Sequence, residues 1–177
     1  LLITMNLDSV ALMPCNPSMG GPAKGHLIKE IDALGGEIGR NTDRTFIQVR
    51  LLNTSKGPAV QALRAQCDKQ AYRLAMKFVL ESQPNLELKQ ATITRLLSQT
   101  RDDGRFEMTG IVTSNGWQYM AGAVILTTGT FINGRLVVGE KTQPGGRAGE
   151  GPALGISETL RALGLEVRRF KTGTPPR

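Results

Sequence analysis

Residues 86–129 read LELKQATITRLLSQTRDDGRFEMTGIVTSNGWQYMAGAVILTTG. The pattern is one of short apolar or alternating runs, at 86–89, 93–98, 106–113, 118–120 and 121–127, and each is of strand length. Between them, Asp102-Asp103-Gly104 and Asn115-Gly116 are hairpin turns, because Asn-Gly and Asp-Gly supply the positive φ that tight hairpins require. This stretch therefore predicts a β-meander that returns to a buried strand ending in Thr127-Thr128-Gly129.

Upstream the period changes. Val60, Leu63, Cys67, Ala71, Leu74 and Phe78 recur every three or four residues, which predicts one long helix over 59–82, stopped by Gln83-Pro84. Leu27, Ile31 and Leu34 predict an earlier helix over 26–34, closed by Gly35-Gly36. Residues 1–4 read as the end of a buried strand, and 5–25 as a long loop. Residues 45–51 suit a strand or a short helix equally. Downstream, 130–152 reads as loop with a brief strand at 136–138, 156–163 as a helix closed by Gly164, and 165–170 as a last strand. Helices around a strand–meander–strand order fit the middle of an α/β nucleotide-binding domain with an inserted antiparallel layer. No G-x-G-x-x-G phosphate loop precedes the first helix. Both ends read as interior to a longer chain.

Composition narrows the function classes. Hydrophobic residues make up 40% of the 177, which excludes a disordered chain. A net charge of +7 favours polyanionic partners such as RNA, although solubility alone also explains it. Aromatics at 5% argue against a module that binds single-stranded RNA by stacking. No apolar run reaches the roughly 18 residues a membrane span needs, so no membrane association is expected. Two cysteines, Cys15 and Cys67, make no disulfide framework and point to a reducing, cytoplasmic compartment. A metal centre is not expected, since the lone His26 has no accompanying cluster of ligands.

Three motifs could carry chemistry. In residues 14–25 (PCNPSMGGPAKG), glycines allow backbone N–H groups to approach a ligand, and the loop runs into a helix N-terminus. Cys15 lies in this polar loop with Lys24 nearby, a setting that favours thiolate. It reads either as a nucleophile or as a packed thiol. Cys67, on the predicted helix stripe, reads as a small buried hydrophobe. The second motif is residues 123–131 (AVILTTGTF), where a buried strand ending in small residues can pass close to a cofactor. The third is a scatter of loop cations: Arg40, Arg44, Arg50, Lys56, Arg147, Lys171 and Arg177. These suit phosphates or are simply solvated.

Taken together these runs are more specific than any one of them. Cys15-Asn16-Pro17-Ser18, then residues 20–27 (GGPAKGHL), 29–36 (KEIDALGG), 53–65 (NTSKGPAVQALRA), 127–131 (TTGTF), 145–149 (GGRAG) and 171–177 (KTGTPPR) resemble the signature of the MnmG (GidA) family of tRNA wobble-uridine modification enzymes. The resemblance covers essentially the whole chain. It implies an FAD-binding Rossmann-like domain of the glutathione-reductase type, with an inserted domain beginning near residue 165. It implies an aminomethyl-type addition at C5 of the tRNA wobble uridine, made with an MnmE-type GTPase, in a protein that works as a homodimer. FAD is the implied cofactor, with NADH and methylene-tetrahydrofolate as co-substrates. On these positions Cys15 matches a catalytic cysteine; Gly20, Gly21 and Lys24 border the flavin; Ile93 meets the adenine end through its backbone. Thr127, Thr128 and Gly129 pass the cofactor, and Ala153 stands where serine often faces it. The nearest alternative is a folate- and FAD-dependent tRNA uridine methyltransferase, which shares the Cys-Asn-Pro loop; residues 53–65 and 171–177 favour the first family. A non-catalytic RNA-binding module and an inactive remnant are the remaining readings.

Overall fold

A computed structural model describes residues 1–173, and the chain divides into two compact units, Leu1–Gln90 and Ala91–Arg177. In the first unit, β1 (Leu2–Thr4) pairs in parallel with β5 (Leu88–Gln90), Leu2 opposite Leu88. A second sheet has the order β2 (Ser18–Gly20), β4 (Ala62–Cys67), β3 (Phe46–Leu52), all antiparallel. Helices α1 (Lys24–Ala33), α2 (Glu37–Thr45) and α3 (Lys69–Glu81) complete the unit. The predicted strand at 1–4 and helix at 26–34 are found. The predicted loop at 5–25 is more ordered than expected, since it contains a short 3-10 turn at Leu7–Ser9, strand β2 and the start of α1.

The largest correction concerns 59–82. In place of one long helix there is a 3-10 turn at Pro58–Val60, then strand β4, then α3. Asp68 marks the boundary. Its carboxylate accepts from the N–H groups of Gln70 and Ala71, which is an N-cap and starts a new helix there. The apparent stripe is not the buried one, for Val60, Leu63, Leu74 and Phe78 are all exposed. The core is Met13, Ala65, Cys67, Tyr72 and Met76, drawn from a loop, alternate positions of β4 and one face of α3. Cys67 is buried as expected, but on a strand.

Helix α2 was not expected, because the cations at 40–44 read as a loop. Its buried face is polar: Asn41, Thr42 and Thr45. Thr42 and Thr45 satisfy their hydroxyls on the carbonyls of Ile38 and Asn41, one turn back, and the Asn41 amide donates to the Tyr72 carbonyl at 2.9 Å. Hydrophobic periodicity cannot detect such a helix. The 3-10 turn at Leu7–Ser9 is tied to α3 by Lys77, whose ammonium is 2.8 Å from the Asp8 carboxylate and holds it below the usual carboxylate range. Arg73 donates to the Asp8 carbonyl.

In the second unit the meander forms as predicted. Strands β6 (Ile93–Thr100), β7 (Phe106–Thr113) and β8 (Gln118–Met120) make an antiparallel sheet in that order. Its turns close through Arg101 N–H to the Arg105 carbonyl and Thr113 N–H to the Trp117 carbonyl. Strand β9 (Arg135–Val138) is found where a brief strand was expected, and it pairs with an unforeseen β10 (Lys141–Pro144). Helix α4 (Ile156–Ala162) matches its prediction. Two predicted strands do not form. Residues 121–127 and 165–170 carry no strand pairing among the described residues, and Ile125 and Phe170 are almost fully exposed. Apolar, β-branched residues create a strand tendency, but a strand exists only where a neighbouring chain accepts its ladder.

Candidate functional site

The expected site residues fall into two groups, one in each unit. In the first unit Cys15 is half-buried in the turn that leads into β2. That turn is anchored at two points: Ser18 N–H donates to the Asn16 carbonyl, and Cys67 N–H donates to the Pro17 carbonyl, both at 2.7 Å. Cys15 is thus held at a fixed place beside the end of β4. Neither it nor Cys67 is in a disulfide. Burial pushes the Cys67 thiol up, against smaller opposing effects from Met19, Lys24 and Thr45. Lys24 is exposed on the first turn of α1, and its ammonium donates to the Ser18 carbonyl at 3.1 Å, so the cation is folded back over the cysteine loop. His26 is exposed on the same helix.

The glycines of this loop serve the fold first. Gly20 has φ +97, and a Cβ there would lie 2.1 Å from the Leu63 carbonyl oxygen on β4. Gly21 N–H donates to that same oxygen at 2.7 Å. These two residues let α1 begin directly against the sheet.

In the second unit three loops interlock. Ile132 and Ala153 form a parallel bridge, closed by Ala153 N–H to the Phe131 carbonyl and Asn133 N–H to the Ala153 carbonyl, each 2.8 Å. Thr130 Oγ1 donates to the Gly146 carbonyl at 2.6 Å. Arg147 forms a forked pair with Glu150 (2.7 and 2.8 Å) and lies over the Phe131 ring at 5.4 Å. Ala153 is therefore buried, and its methyl group packs within the fold. Gly155 lies so close to β6 that a Cβ would come 2.4 Å from the Thr94 carbonyl oxygen, which brings Ile93 and the 153–155 turn together. Thr127, Thr128 and Gly129 sit at the edge of this frame, Thr127 and Gly129 exposed. Gly129 has φ +56, and among the described residues no atom beyond its own chain neighbours lies within 4 Å of its Cβ position.

Gly20 and Gly129 should respond oppositely to alanine. Gly20→Ala adds both backbone strain and a clash, and is expected to cost about 2–4 kcal/mol in urea unfolding. Gly129→Ala should cost only about 1–2 kcal/mol, the penalty of a left-handed non-glycine residue. A Gly20→Ala protein as stable as the parent would contradict the packing role.

Asn133, Ser157 and Glu158 were not foreseen. The Asn133 amide donates to Ser157 Oγ at 2.5 Å, and Ser157 donates to Glu158 at 3.1 Å. Backbone N–H donation at Glu158 itself, with Ser157 and Asn133, holds its carboxyl below the usual range. Residues so far apart in sequence carry no local signal of this contact. Arg177 lies outside the described residues. Among those described, no group of three or more potential ligands could hold a metal ion, and no helix is long and apolar enough to cross a membrane.

Among the described residues each unit combines helices with sheets, one strand pair parallel and the others antiparallel, which defines an α/β protein. The family described as glucose inhibited division protein A, GidA, matches residues 1–177, and the chain belongs to that family. It is 59% identical over its whole length to the tRNA uridine 5-carboxymethylaminomethyl modification enzyme MnmG of Chloroflexus aurantiacus, covering 27% of that protein. It is 58% identical to the enzyme of the same name from Geobacter metallireducens, covering 28%. Its fold superposes on the crystal structure of Aquifex aeolicus GidA with a TM-score of 0.88 at 46% identity, over 98% of this chain and 28% of that one. A GidA-related protein of Thermus thermophilus shares the fold at a TM-score of 0.57 and 24% identity, over 92% of this chain and 56% of that one. The chain thus spans little more than a quarter of the MnmG relatives it matches.

Proposed function

We propose that this chain is the part of an MnmG-type enzyme that carries one catalytic cysteine and part of an FAD site, and that it acts within a longer protein on the tRNA wobble uridine. The observation that carries this reading is the 59% identity, over all 177 residues of this chain, to a protein of that name. An MnmE-type GTPase as partner, a homodimeric assembly, a cytoplasmic location, and NADH and methylene-tetrahydrofolate as co-substrates belong to the same proposal.

The residues present fit part of an FAD site. The space at the Gly129 Cβ position is open, so backbone there can meet a ligand, and Thr127 and Thr128 add hydroxyls beside it. Ile93 offers backbone at the start of β6, while the buried Ala153 methyl supports the frame without a hydroxyl to contribute. In the first unit Lys24 supplies a positive charge at the start of α1, and Gly20 and Gly21 fix the loop that leads into it. FAD, when bound, supplies hydride-transfer chemistry. In this reading Cys15 is the nucleophile toward the electron-poor uracil ring: the new S–C bond leaves an electron pair on the adjacent carbon, which makes that carbon nucleophilic. For the inserted antiparallel layer of this reading we propose the antiparallel β6–β7–β8 sheet.

The test is flavin content and nucleoside analysis together. The purified longer protein should carry FAD, this 177-residue chain alone should retain it weakly, and wobble uridine in tRNA from cells that depend on this gene should carry the C5 group by mass spectrometry. A longer protein without flavin, or modified tRNA in cells lacking the gene, would overturn the reading.

A further inference from the structure

A cleft of about 330 Å³ opens between the β9–β10 hairpin and the 152–154 turn. Arg135 and Arg169 both line it, with Thr142 and Gln143 adding a hydroxyl and an amide, and Pro144 and Leu154 forming an apolar side. Among the described residues no carboxylate lines it. Neighbouring arginines have partners: Arg147 is paired with Glu150, and Arg168 with Glu166. Among the described residues neither Arg135 nor Arg169 has an acidic partner. Arg169 is held in place by its guanidinium donating to the Asn133 carbonyl at 3.3 Å. Asn133 is in turn fixed by its bonds to Ala153 and Ser157.

Two guanidinium groups in one recess repel each other unless an anion lies between them. Their forked donors suit a phosphate, and the apolar side with the Gln143 amide suits a flat, hydrogen-bonding ring. The volume is at the lower end for a small-ligand site, enough for one nucleotide and not for a dinucleotide lying at full length. We propose that this cleft seats one nucleotide of the RNA substrate, with its phosphate between Arg135 and Arg169 and its base against Pro144 and Leu154. This rests on the proposed function for the identity of the RNA, and the cleft adjoins the frame around Ala153, since Pro152 and Leu154 line it.

The test measures binding of an anticodon stem-loop RNA to purified protein over a range of salt concentrations. The Arg135→Gln/Arg169→Gln protein should bind at least about tenfold more weakly and show a salt slope reduced by about 0.7–0.9, the value for one neutralised phosphate. Arg135→Lys/Arg169→Lys should keep the slope, because charge is retained, and lose part of the affinity. Arg101→Gln, at the meander turn, should change nothing. Flavin content should be the same in all variants, and circular dichroism verifies folding. Unchanged RNA binding in the double glutamine variant would overturn the proposal. So would an equal loss in Arg101→Gln, which would reduce the effect to general charge, or a loss of FAD or NADH binding in place of RNA. If the parent protein binds no RNA at all, the proposed function fails along with the cleft; if it binds RNA indifferently to the pair, only the cleft fails.

Discussion

Replacing Cys15 by serine is expected to lower tRNA modification by about 10³-fold or more and to leave the fold and the flavin content intact. The separation follows from where the two sulfurs lie. Cys15 is half-buried in a turn and outside the hydrophobic cluster; Cys67 is the sulfur inside it, 2% exposed. A serine hydroxyl fits the space of the thiol but is a far weaker nucleophile at neutral pH. The turn itself is held by backbone bonds at Asn16–Ser18 and Pro17–Cys67, which the substitution does not touch. Cys67→Ser should behave in reverse, losing about 1–3 kcal/mol of stability by burying a hydroxyl, with activity per folded molecule unchanged. The measurements are urea midpoints, flavin absorbance, and mass spectrometry of the wobble nucleoside. If Cys15→Ser retained modification within a few-fold, Cys15 would be a structural residue.

Tyr72→Ala should be the most damaging core change, costing about 3–5 kcal/mol by the scale for large aromatic residues. Tyr72 is 2% exposed and is the largest side chain of a small cluster whose other members are Met13, Ala65, Cys67 and Met76. It joins α3 to β4, and its backbone carbonyl accepts from the buried Asn41 of α2. Burial pushes its hydroxyl up, with Asn41 and Thr42 pulling the other way. Tyr72→Phe retains the ring and should cost only about 0.5–1.5 kcal/mol. Urea unfolding distinguishes the two. Equal losses for Ala and Phe would mean that the hydroxyl, and not the packed ring, supports this unit.

Much of the second unit was legible in its sequence. The meander at 93–120 declares itself through alternating runs and two hairpin turns whose residues are chosen for backbone reasons, and both properties are local. Helices α1 and α4 were legible for the same reason, since a stripe or a closing glycine lies within a few residues. The division of 59–82 into strand and helix was less so. Val60, Leu63, Cys67, Ala71, Leu74 and Phe78 satisfy helical spacing, but the residues buried in this stretch are Ala62, Ala65, Cys67, Tyr72 and Met76, and only Cys67 belongs to both sets. The capping role of Asp68 was a local signal that the apolar spacing outweighed.

The candidate site divides along the same line. By itself the sequence determined the family, the Cys15 loop, the Thr127-Thr128-Gly129 turn and the net positive charge, because these depend on residue identity and short spacing. Only the tertiary structure decided that Gly20 is spent on packing against Leu63, that Ala153 is buried, that Asn133 reaches Ser157, and that Arg135 and Arg169 share a cleft. Each of these joins residues 20 or more positions apart in sequence. Such pairings are set by which surfaces meet when the chain folds, and no local propensity records them.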